Sequence, residues 1–558
     1  MMKKIKYLSL SILIVASILL FSNFKPGDKL FEISKNIEIF CALFREVNAN
    51  YVDEIDPNKA MKTGIEAMLA DLDPYTNYYS EDLIEDARFM QTGKYGGIGA
   101  VIKKEENKEE IIVVQPYENS PAEKAGLVAG DVILKINGKA VGNRSIADIT
   151  TILKGEPSTE IILNVRKLIN DAVTDVKIIR EDIKINAVPF HGMVSQNTGY
   201  IKLTSFTQGC SQEVKNALTD LKKNPEFNTL IFDLRSNGGG LLHEAVDIVN
   251  IFESKGVEVV YTKGRSEDIT SFKTQNNITD GKIPVIVLIN SMSASASEIV
   301  SGCVQDLDRG IVLGQRSYGK GLVQNTKPLP YNTQVKITTS KYYIPSGRCI
   351  QAKDYSNRNA DGSVGTVPDS LKKAFKTKNG RVVYDGGGIE PDIKLKPLEA
   401  IPIITSLLGN DILFKYANIY YKNNIDKNVD AKTFELNNTE FEAFVVYANK
   451  LDFKYKTETE KLIDELEKVA KEEHYHETLS NDIQQLKSKL HGDKKIDLIK
   501  NKKIINKLIS SEIVLRFLGE KGQIQNSFLF DEEVKKAVNI LSNAILYQEI
   551  LSGKYKEK

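Results

Sequence analysis

Histidine and cysteine are both scarce in this chain of 558 residues, which contains five histidines and four cysteines. The cysteines are Cys41, Cys210, Cys303 and Cys349. They lie far apart and show no CxxC spacing, so the sequence predicts neither a zinc site nor a disulfide scaffold. We expect them to be small buried apolar residues. The net charge is only +1, which gives no reason to expect a nucleic-acid partner.

The composition is that of a folded protein with several domains. Hydrophobic residues make up 41% of the chain and charged residues 27%, a balance that lets the chain bury a sizeable core. A guide of about 150 residues per domain gives three or four domains. The sequence contains no internal repeat and no low-complexity tract.

The first 24 residues have the layout of an export signal. Lys3, Lys4 and Lys6 precede a stretch without charge that runs from Tyr7 to Phe24. A small-x-small cleavage site and a lipobox cysteine are both missing, so an uncleaved signal anchor stands beside a cleaved signal peptide. A buried core helix is the third interpretation. We expect an exported protein in the periplasm or cell envelope, held at the inner membrane if the signal is not cleaved.

Hydrophobic periodicity divides the rest of the chain into four segments. Residues 25–93 repeat apolar side chains at three- and four-residue steps, which is typical of helices. Residues 94–172 alternate apolar and polar residues between turn residues, as short strands do. Residues 173–398 alternate apolar strands with helical patterns, which predicts an α/β domain with mostly parallel strands. Residues 399–558 are helix-rich, and for them we expect only an accessory domain or a homo-oligomer surface.

Four serines occupy alternate positions directly after the apolar strand PVIVLIN and before a helical pattern. They are Ser291, Ser293, Ser295 and Ser297. A serine at such a junction faces the first free amides of the helix, which can bind an anion. An acyl-transfer nucleophile needs these amides, because its tetrahedral intermediate develops negative charge there. Most serine clusters of this kind are helix caps, and the local pattern leaves both interpretations open.

Two glycine turns follow other strands of the α/β segment. Gly238 to Gly240 lie between a strand and a helix in DLRSNGGG, and no Lys-Ser or Lys-Thr follows them, which excludes a P-loop. The stretch GGIGAVI, in the strand-rich segment 94–172, lacks the third glycine of a dinucleotide-binding fingerprint, so we exclude that motif as well. Lys320 lies between two glycines in GQRSYGKGLVQ. Turns at the same end of adjacent strands face each other across a crevice, although plain strand–helix turns remain the alternative.

A nucleophilic serine needs a proton acceptor, and none of the five histidines pairs convincingly with the serines. His243 follows the glycines inside a predicted helix, and a Ser-His-Asp hydrolase built on it is one hypothesis. Lys320 gives another, because burial can lower the pKa of a lysine amine and Ser–Lys pairs are a known variant of the triad. Gln324 could orient that amine. A lysine in a glycine turn is by itself more often an exposed side chain.

The motifs SASASEI, GKGLVQ and DLRSNGGG together resemble those of the carboxyl-terminal processing (tail-specific) proteases, serine peptidases of the S41 type. SPAEKAGLVAGDVILKINGKAV resembles the PDZ domain of that family. The likeness covers roughly residues 31–395 and thins beyond residue 400. It implies an α/β (α+β) fold of several domains: a ClpP/crotonase-like S41 core with an inserted PDZ domain, between a helical N-terminal region and a helix-rich C-terminal extension.

The resemblance assigns roles by position. In the family the nucleophile is the middle serine of the S-A-S-A-S run, and the general base is the lysine of G-K-G twenty-five residues later. The difference 320 − 295 = 25 selects Ser295 and Lys320, with Gln324 as the orienting residue. The family's oxyanion hole implies the backbone amides of Ala296 and, from the glycine turn, Gly239.

The PDZ likeness implies recognition of a peptide. Such domains add a peptide as an extra strand at an open sheet edge and hold its terminal carboxylate on backbone amides. The matching loop contains Tyr95, Gly96, Gly97, Ile98 and Gly99, and Ile98 would line an apolar pocket for the last side chain. The expected partners are proteins or peptides with apolar C-termini. We expect no metal, cofactor or nucleic acid.

These observations predict a serine endopeptidase of the cell envelope that recognises protein C-termini and cleaves with a Ser–Lys dyad. The alternative is a catalytically silent scaffold that binds peptides through its PDZ domain. A complete Ser–Lys–Gln set argues against that alternative.

Overall fold

The computed structural model describes residues 27–105, 110–359, 361–397, 401–490 and 494–555. The predicted export signal at residues 1–24 lies outside them. Across the described residues, no helix is both long enough and apolar enough to cross a bilayer. The chain divides into two compact units, Met1–Tyr78 and Tyr79–Lys558.

Within the described part of the first unit, from residue 27 onward, there are two helices, α1 (Gly27–Asn50) and α2 (Pro57–Ala70). A short strand, β1 (Asn77–Tyr79), follows them. Asp56 caps α2, because its side chain accepts hydrogen bonds from two amides of the first turn and the proline at the first helical position needs no acceptor.

The prediction that all four cysteines are buried is wrong for Cys41. Cys210 and Cys303 are buried and Cys349 is half-buried, but Cys41 is exposed on α1. Most apolar side chains of that helix are exposed, so its apolar spacing does not guarantee burial. All four thiols are free.

A β-rich domain follows the short helix that opens the second unit. Its six-stranded sheet has the order β3-β4-β5-β7-β8 with β6 beside β5, and all neighbours are antiparallel. Strand β3 therefore forms one edge. The elements are α3 (Ile84–Thr92), β2 (Lys94–Gly97), β3 (Ala100–Lys104), β4 (Ile111–Pro116), α4 (Pro121–Lys124), β5 (Val132–Ile136), β6 (Lys139–Ala140), α5 (Ile146–Leu153), β7 (Glu160–Arg166), β8 (Val173–Ile179) and β9 (Glu181–Lys184).

This sheet continues past the domain boundary predicted at residue 172. Asp171, at a φ of 56°, lies in the tight turn of a hairpin, and β8 pairs with β7 along its whole length. Strands β2 and β9, on either side of the domain, pair with each other antiparallel. The chain therefore enters and leaves the β-rich domain through neighbouring strands.

The central domain has the predicted alternation of strands and helices. Its main sheet has the order β10-β11-β12-β15-β16-β23, in which only β10 runs antiparallel to its neighbour. Its first elements are β10 (Phe190–Met193), β11 (Thr198–Lys202), α6 (Cys210–Leu221), β12 (Thr229–Asp233), α7 (Leu242–Phe252), β13 (Glu258–Gly264), β14 (Ile269–Lys273), β15 (Val285–Ile289), α8 (Ala296–Asp306) and β16 (Ile311–Gly314). Every residue of β12, β15 and β16 is buried, which explains their unbroken apolar sequences.

A second sheet and two small hairpins complete the central domain. In the second sheet a long β-hairpin, β17–β18, pairs through β18 with β13, and β13 pairs with β14. The remaining elements are β17 (Leu322–Leu329), β18 (Thr333–Tyr343), β19 (Lys353–Arg358), β20 (Val364–Thr366), β21 (Ala374–Lys376), β22 (Val382–Tyr384) and β23 (Ile393–Lys394). The core between the main sheet and helices α6, α7 and α8 includes Phe232, Val249 and Val300.

The C-terminal region is helical, as its sequence predicts. Its helices are α9 (Pro402–Gly409), α10 (Ile412–Asn423), α11 (Asn438–Asn449), α12 (Glu458–Glu472), α13 (His476–Leu490), α14 (Lys494–Lys500), α15 (Lys502–Ser527), α16 (Glu532–Ser542) and α17 (Ala544–Leu551). Several of them share a core that contains Leu407, Phe444 and Ile505. Phe414 of α10 packs on Ile112 and Val132 of the β-rich domain.

The last two helices do not belong to that accessory core. Val534 and Ile540 of α16 and Tyr547 of α17 pack on the face of the main sheet opposite to α6–α8, where they meet Ile286 and Leu288. The Tyr547 hydroxyl also accepts a hydrogen bond from the backbone N–H of Val285 at 3.1 Å. These two helices therefore form the second helical layer of the α/β domain, although the predicted boundary at residue 399 assigns them to the extension.

We expect Ile540→Ala to lower the free energy of unfolding by about 2–5 kcal/mol, because it opens a cavity between α16 and the sheet. Ile545→Ala is the matched control, since Ile545 is 74% exposed and Ile540 only 1%. Urea unfolding followed by tyrosine fluorescence measures both. An equal effect of the two substitutions would contradict the second-layer role of α16.

Candidate active site

Three turns meet at one edge of the main sheet. The parallel neighbours β12, β15 and β16 end together there, since Asp233 is paired with Leu288 and Ile289 with Gly314. The glycine run follows β12, the serine run follows β15, and the turn with Lys320 follows β16. Ligands of open α/β sheets bind at this carboxyl edge.

The structure sorts the four serines by environment. Ser293 and Ser297 are buried, and their hydroxyls donate hydrogen bonds of 2.8 Å to the backbone carbonyls of Leu234 and Asn237. These bonds join the serine run to the glycine turn. Ser291 is exposed, and Ser295 is half-buried.

Ser295, the half-buried member of the run, has an unusual backbone conformation. Its φ is 57° and its ψ is −113°, outside the regions that L-residues normally occupy. Ala296, directly after it, is the first residue of α8, where helix amides have no intrahelical acceptor. The turn stores strain of the kind that clusters at functional sites.

Gly239 lies directly against this serine. A Cβ atom built on Gly239 would be 2.8 Å from the Cβ of Ser295 and 2.7 Å from the carbonyl oxygen of Ala294, and the φ of Gly239 is +96°. Both the space and the backbone conformation therefore require glycine. The backbone N–H of Gly239 donates to Asn237 Oδ1 at 2.9 Å, so in this conformation the amide predicted for the oxyanion hole is already engaged.

A cavity of about 730 Å³ opens at this edge of the sheet. Ser295, Ala296, Lys320, Gln324 and the three glycines all line it, so the structure brings the predicted catalytic residues to one cavity. Apolar side chains form another part of its wall, among them Phe89, Phe272, Ile299 and Leu322.

A buried carboxylate, Glu298, links the serine turn to the lysine turn. Its Oε2 accepts hydrogen bonds from the backbone N–H groups of Ser295 at 2.8 Å and Lys320 at 2.9 Å. Its Oε1 accepts from the backbone N–H of Gly319 at 2.7 Å and from the hydroxyl of Ser317. One side chain thus fixes both turns relative to each other.

Burial is the largest influence on the pKa of Glu298 and raises it above its ordinary value, while the four hydrogen-bond donors act in the opposite direction. Glu298 is not among the site residues predicted from the sequence motifs. The signal that could have found it is the spacing Ser-x-x-Glu at the start of a helix, which is typical of a capping box.

Gln324 lies on β17, the strand that follows the lysine turn. Its Nε2 donates to the hydroxyl of Thr338 across the hairpin at 3.1 Å, which fixes the plane of the amide. The predicted orienting residue is thus held from the neighbouring strand, at the wall of the cavity that Lys320 also lines.

His243 also lines the cavity, but its surroundings differ from those of a catalytic base. Its side chain is 63% exposed, and its Nε2 is 3.8 Å from the carboxylate of Glu244. That carboxylate accepts hydrogen bonds from the backbone N–H groups of Gly209 and Ser211. Among the described residues no serine hydroxyl is hydrogen-bonded to His243, so the structure contains no Ser-His-Asp triad built on it.

An ion-pair network supports the glycine turn from behind. Arg235 donates to Asp233 through Nε and Nη2, and its Nη1 donates to Asp531 at 3.1 Å and to Glu533 at 2.6 Å. Burial by itself would raise the pKa of Asp233. The positive charges of Arg235 and Lys202 outweigh burial, so the pKa of Asp233 lies well below its usual value. Arg235, which lies just before the three glycines, therefore attaches the glycine turn to the start of α16.

The predicted peptide-binding loop lies between β2 and the edge strand β3. Tyr95, Gly96 and Gly97 belong to β2, and Gly99 has a φ of +76°. Ile98 is only 2% exposed and packs in the core of the β-rich domain, so it does not form the open wall of an apolar pocket in this conformation. Over the described part of the chain, no three histidine, cysteine, aspartate or glutamate side chains are placed to hold a metal ion.

Three family models match the chain. "Peptidase family S41" matches residues 197–369, which contain the four central strands of the main sheet, β11, β12, β15 and β16, and the three turns that follow β12, β15 and β16. "PDZ domain" matches residues 112–167 in the β-rich domain. "Probable PDZ-protease, C-terminal helical domain" matches residues 403–541.

Several known proteins are similar to this chain over more than half of their own length. The carboxy-terminal-processing protease of Bartonella bacilliformis is 35% identical over 356 residues, which are 63% of this chain and 81% of that protein. A probable CtpA-like serine protease of Staphylococcus aureus is 32% identical over 56% of this chain and 62% of its own length. Among solved structures, a photosystem II D1 C-terminal processing protease is 26% identical over 63% of this chain and 86% of its own, with a TM-score of 0.35.

The α/β core, the cavity at its carboxyl edge and the β-rich domain define a protease that carries a PDZ domain. The chain belongs to the carboxy-terminal-processing proteases of peptidase family S41. The resemblance drawn from its motifs, and the fold class that this resemblance implies, are therefore confirmed.

We expect Glu298→Gln to lower kcat for a peptide substrate by about tenfold or more while the protein stays folded. The new NH₂ group would face backbone N–H donors, so the serine and lysine turns would lose their shared acceptor. Steady-state peptidase kinetics and the thermal unfolding midpoint measure the two effects.

Glu440→Gln is the matched control for this substitution. Glu440 occupies the same position in the first turn of α11, where it accepts from the backbone N–H of Asn437, but it lies in the C-terminal helical region. A fall in kcat of the same size for Glu440→Gln would show that the effect of Glu298 is only that of a lost helix cap.

Proposed function

We propose that this protein is a serine endopeptidase in which Ser295 is the nucleophile and Lys320 the general base. The observation that carries the proposal is the hydrogen-bond arrangement at Glu298, which accepts from the backbone N–H groups of both residues. Both residues also line one cavity with an apolar portion of its wall, which suits an extended peptide.

In this mechanism the uncharged amine of Lys320 takes the hydroxyl proton as Ser295 Oγ attacks the peptide carbonyl carbon. The carbonyl π electrons move to oxygen, and the resulting oxyanion faces the first amide of α8, at Ala296. When the intermediate collapses, the C–N bond breaks and the Lys320 ammonium gives its proton to the leaving amine. Water then attacks the acyl-enzyme with Lys320 again as base, which releases a new C-terminal carboxylate and restores Ser295.

We expect Ser295→Ala and Lys320→Ala each to lower kcat by roughly 10³-fold or more, because each removes one half of the proton transfer. Lys320→Arg should also be inactive, since a guanidinium cannot lose its proton in a protein. Peptide cleavage followed by mass spectrometry measures these variants, and circular dichroism verifies their folding.

His243→Ala is the internal control for these three variants and should retain most of the activity. Loss of cleavage in His243→Ala together with activity in Lys320→Ala would replace the Ser–Lys mechanism with a histidine mechanism. If Ser295→Ala cleaves as fast as the wild type, or if the wild type cleaves nothing, the catalytically silent scaffold becomes the better description.

We further propose that the PDZ domain binds the C-terminal end of the substrate. Strand β3 is an edge of its sheet, and the loop that contains Gly97, Ile98 and Gly99 begins at that edge. A peptide could add there as a further strand, with its carboxylate on the loop amides.

For a protein substrate with an apolar C-terminus, we expect amidation of that C-terminus to raise KM about tenfold with little change in kcat. The amidated C-terminus lacks the negative charge that the backbone N–H groups of the loop would bind. The cleavage chemistry at Ser295 is unaffected. Steady-state cleavage of the free-acid and amidated forms measures the difference. A change in kcat alone would contradict the assignment of the loop.

The proposed site of action is outside the cytoplasm, in the periplasm or cell envelope. The support is the basic start and uncharged stretch of residues 1–24, which are typical of an export signal. If that segment is not removed, it would also anchor the protein to the inner membrane.

A further inference from the structure

The lysine, arginine, histidine, aspartate and glutamate side chains that line the cavity of the candidate active site are all of the basic kind. They are Lys320, Lys336 and His243, and among the described residues no aspartate or glutamate lines it. Glu298 is buried and does not line the cavity, and its two carboxylate oxygens accept hydrogen bonds from four donors. The proposed mechanism needs Lys320 in its uncharged form, so Lys336 is the lysine that presents a positive charge to a peptide entering the cavity.

Lys336 occupies a defined position relative to the proposed catalytic residues. In the β17–β18 hairpin Gln324 is paired with Thr338, and Thr326 is paired with Lys336. These two cross-strand pairs are two residues apart, so their side chains point to the same face, about 7 Å from each other along the strand. The amine of Lys336 thus reaches the cavity slightly farther along the hairpin than Gln324.

Lys336 is half-buried as a residue, and its amine makes no ion pair or hydrogen bond with any side chain that the structure describes. Burial lowers the pKa of Lys336 from its ordinary value, and no acidic neighbour opposes that shift. A partly desolvated ammonium without an anionic partner is less favourable than one in water, and an incoming anion would offset that difference.

Lys336 is not placed like the general base. The backbone of Lys320 is attached through Glu298 to the turn of Ser295, whereas Lys336 lies on the second strand of the hairpin. A basic residue at the wall of a peptide cleft but outside the proton-transfer pair is placed to contact the substrate.

We infer that Lys336 binds a carboxylate of the substrate within a few residues of the scissile bond. The cleft would then favour peptides that carry there either an acidic side chain or their own C-terminal carboxylate. This inference rests on the proposed function, and it makes Lys336 a specificity-determining residue of that site.

The test uses matched peptides that share one cleavage site. One set is blocked at both ends and carries a single glutamate at successive positions from three before to three after the scissile bond. Its partner set carries glutamine at each of these positions. A third set has only neutral side chains and places a free C-terminal carboxylate one to three residues beyond the scissile bond, with the amidated peptide as its partner.

With the wild-type enzyme we expect kcat/KM to be about tenfold higher for the acidic member of the pair at one or two adjacent positions. Lys336→Gln should remove this preference while cleaving the neutral peptides at the wild-type rate, and Lys336→Glu should reverse it. The glutamate set and the free-terminus set separate the two sources of the carboxylate.

Lys327→Gln is the matched control, since Lys327 is exposed on the same hairpin and does not line the cavity. It should leave the preference unchanged. A preference that persists in Lys336→Gln, or a wild type that never favours the acidic peptide, would overturn the inference although cleavage itself continues. An equal loss of activity of Lys336→Gln on all peptides would also overturn it, since the residue would then act in catalysis or folding. Absence of cleavage by the wild type would instead count against the proposed function.

Discussion

The geometry of the candidate active site depends on one buried carboxylate that accepts four hydrogen bonds. Glu298 accepts from the turn of Ser295 and from the turn of Lys320, two segments that come from different strand ends of the main sheet. Parallel strands bring such turns to the same edge of the sheet, but they do not fix the exact distance between the turns. A shared hydrogen-bond acceptor fixes that distance. The buried hydroxyls of Ser293 and Ser297 do the same between the serine run and the glycine turn. The three turns are therefore one hydrogen-bonded unit.

Much of the fold could be predicted because its signals are local. Continuous apolar runs predicted the buried strands β12 and β15, and the motifs around Ser295 and Lys320 predicted which residues share a cavity. The role of Glu298 could have been predicted from its Ser-x-x-Glu spacing to Ser295. However, a glutamate in the first turn of a helix is more often only part of a helix cap. The engagement of the Gly239 amide by Asn237 could not be predicted, because it depends on a side-chain rotamer within a turn.

Other features were beyond local patterns because they join distant parts of the chain. The apolar face of α16 indicates that the helix is packed, but its spacing does not say against what, and so its place on the main sheet was missed. The pairing of Arg235 with Asp531 and Glu533 is equally distant in sequence. Cys41 shows the converse case, since a helix can repeat apolar residues and still leave many of them exposed.

The position of α16 and α17 has a consequence for biosynthesis. These helices cover a sheet whose strands leave the ribosome well before them, so one apolar face of the sheet stays bare while the intervening helical region is being translated. A polypeptide interrupted in that interval would hold the serine and lysine turns and the pair of Arg235 with Asp233, but would lack Asp531 and Glu533, the partners of Arg235 from the last helices. Such a fragment would expose an apolar sheet face that favours aggregation, and its glycine turn would lack the outer attachment that Arg235 makes in the complete chain.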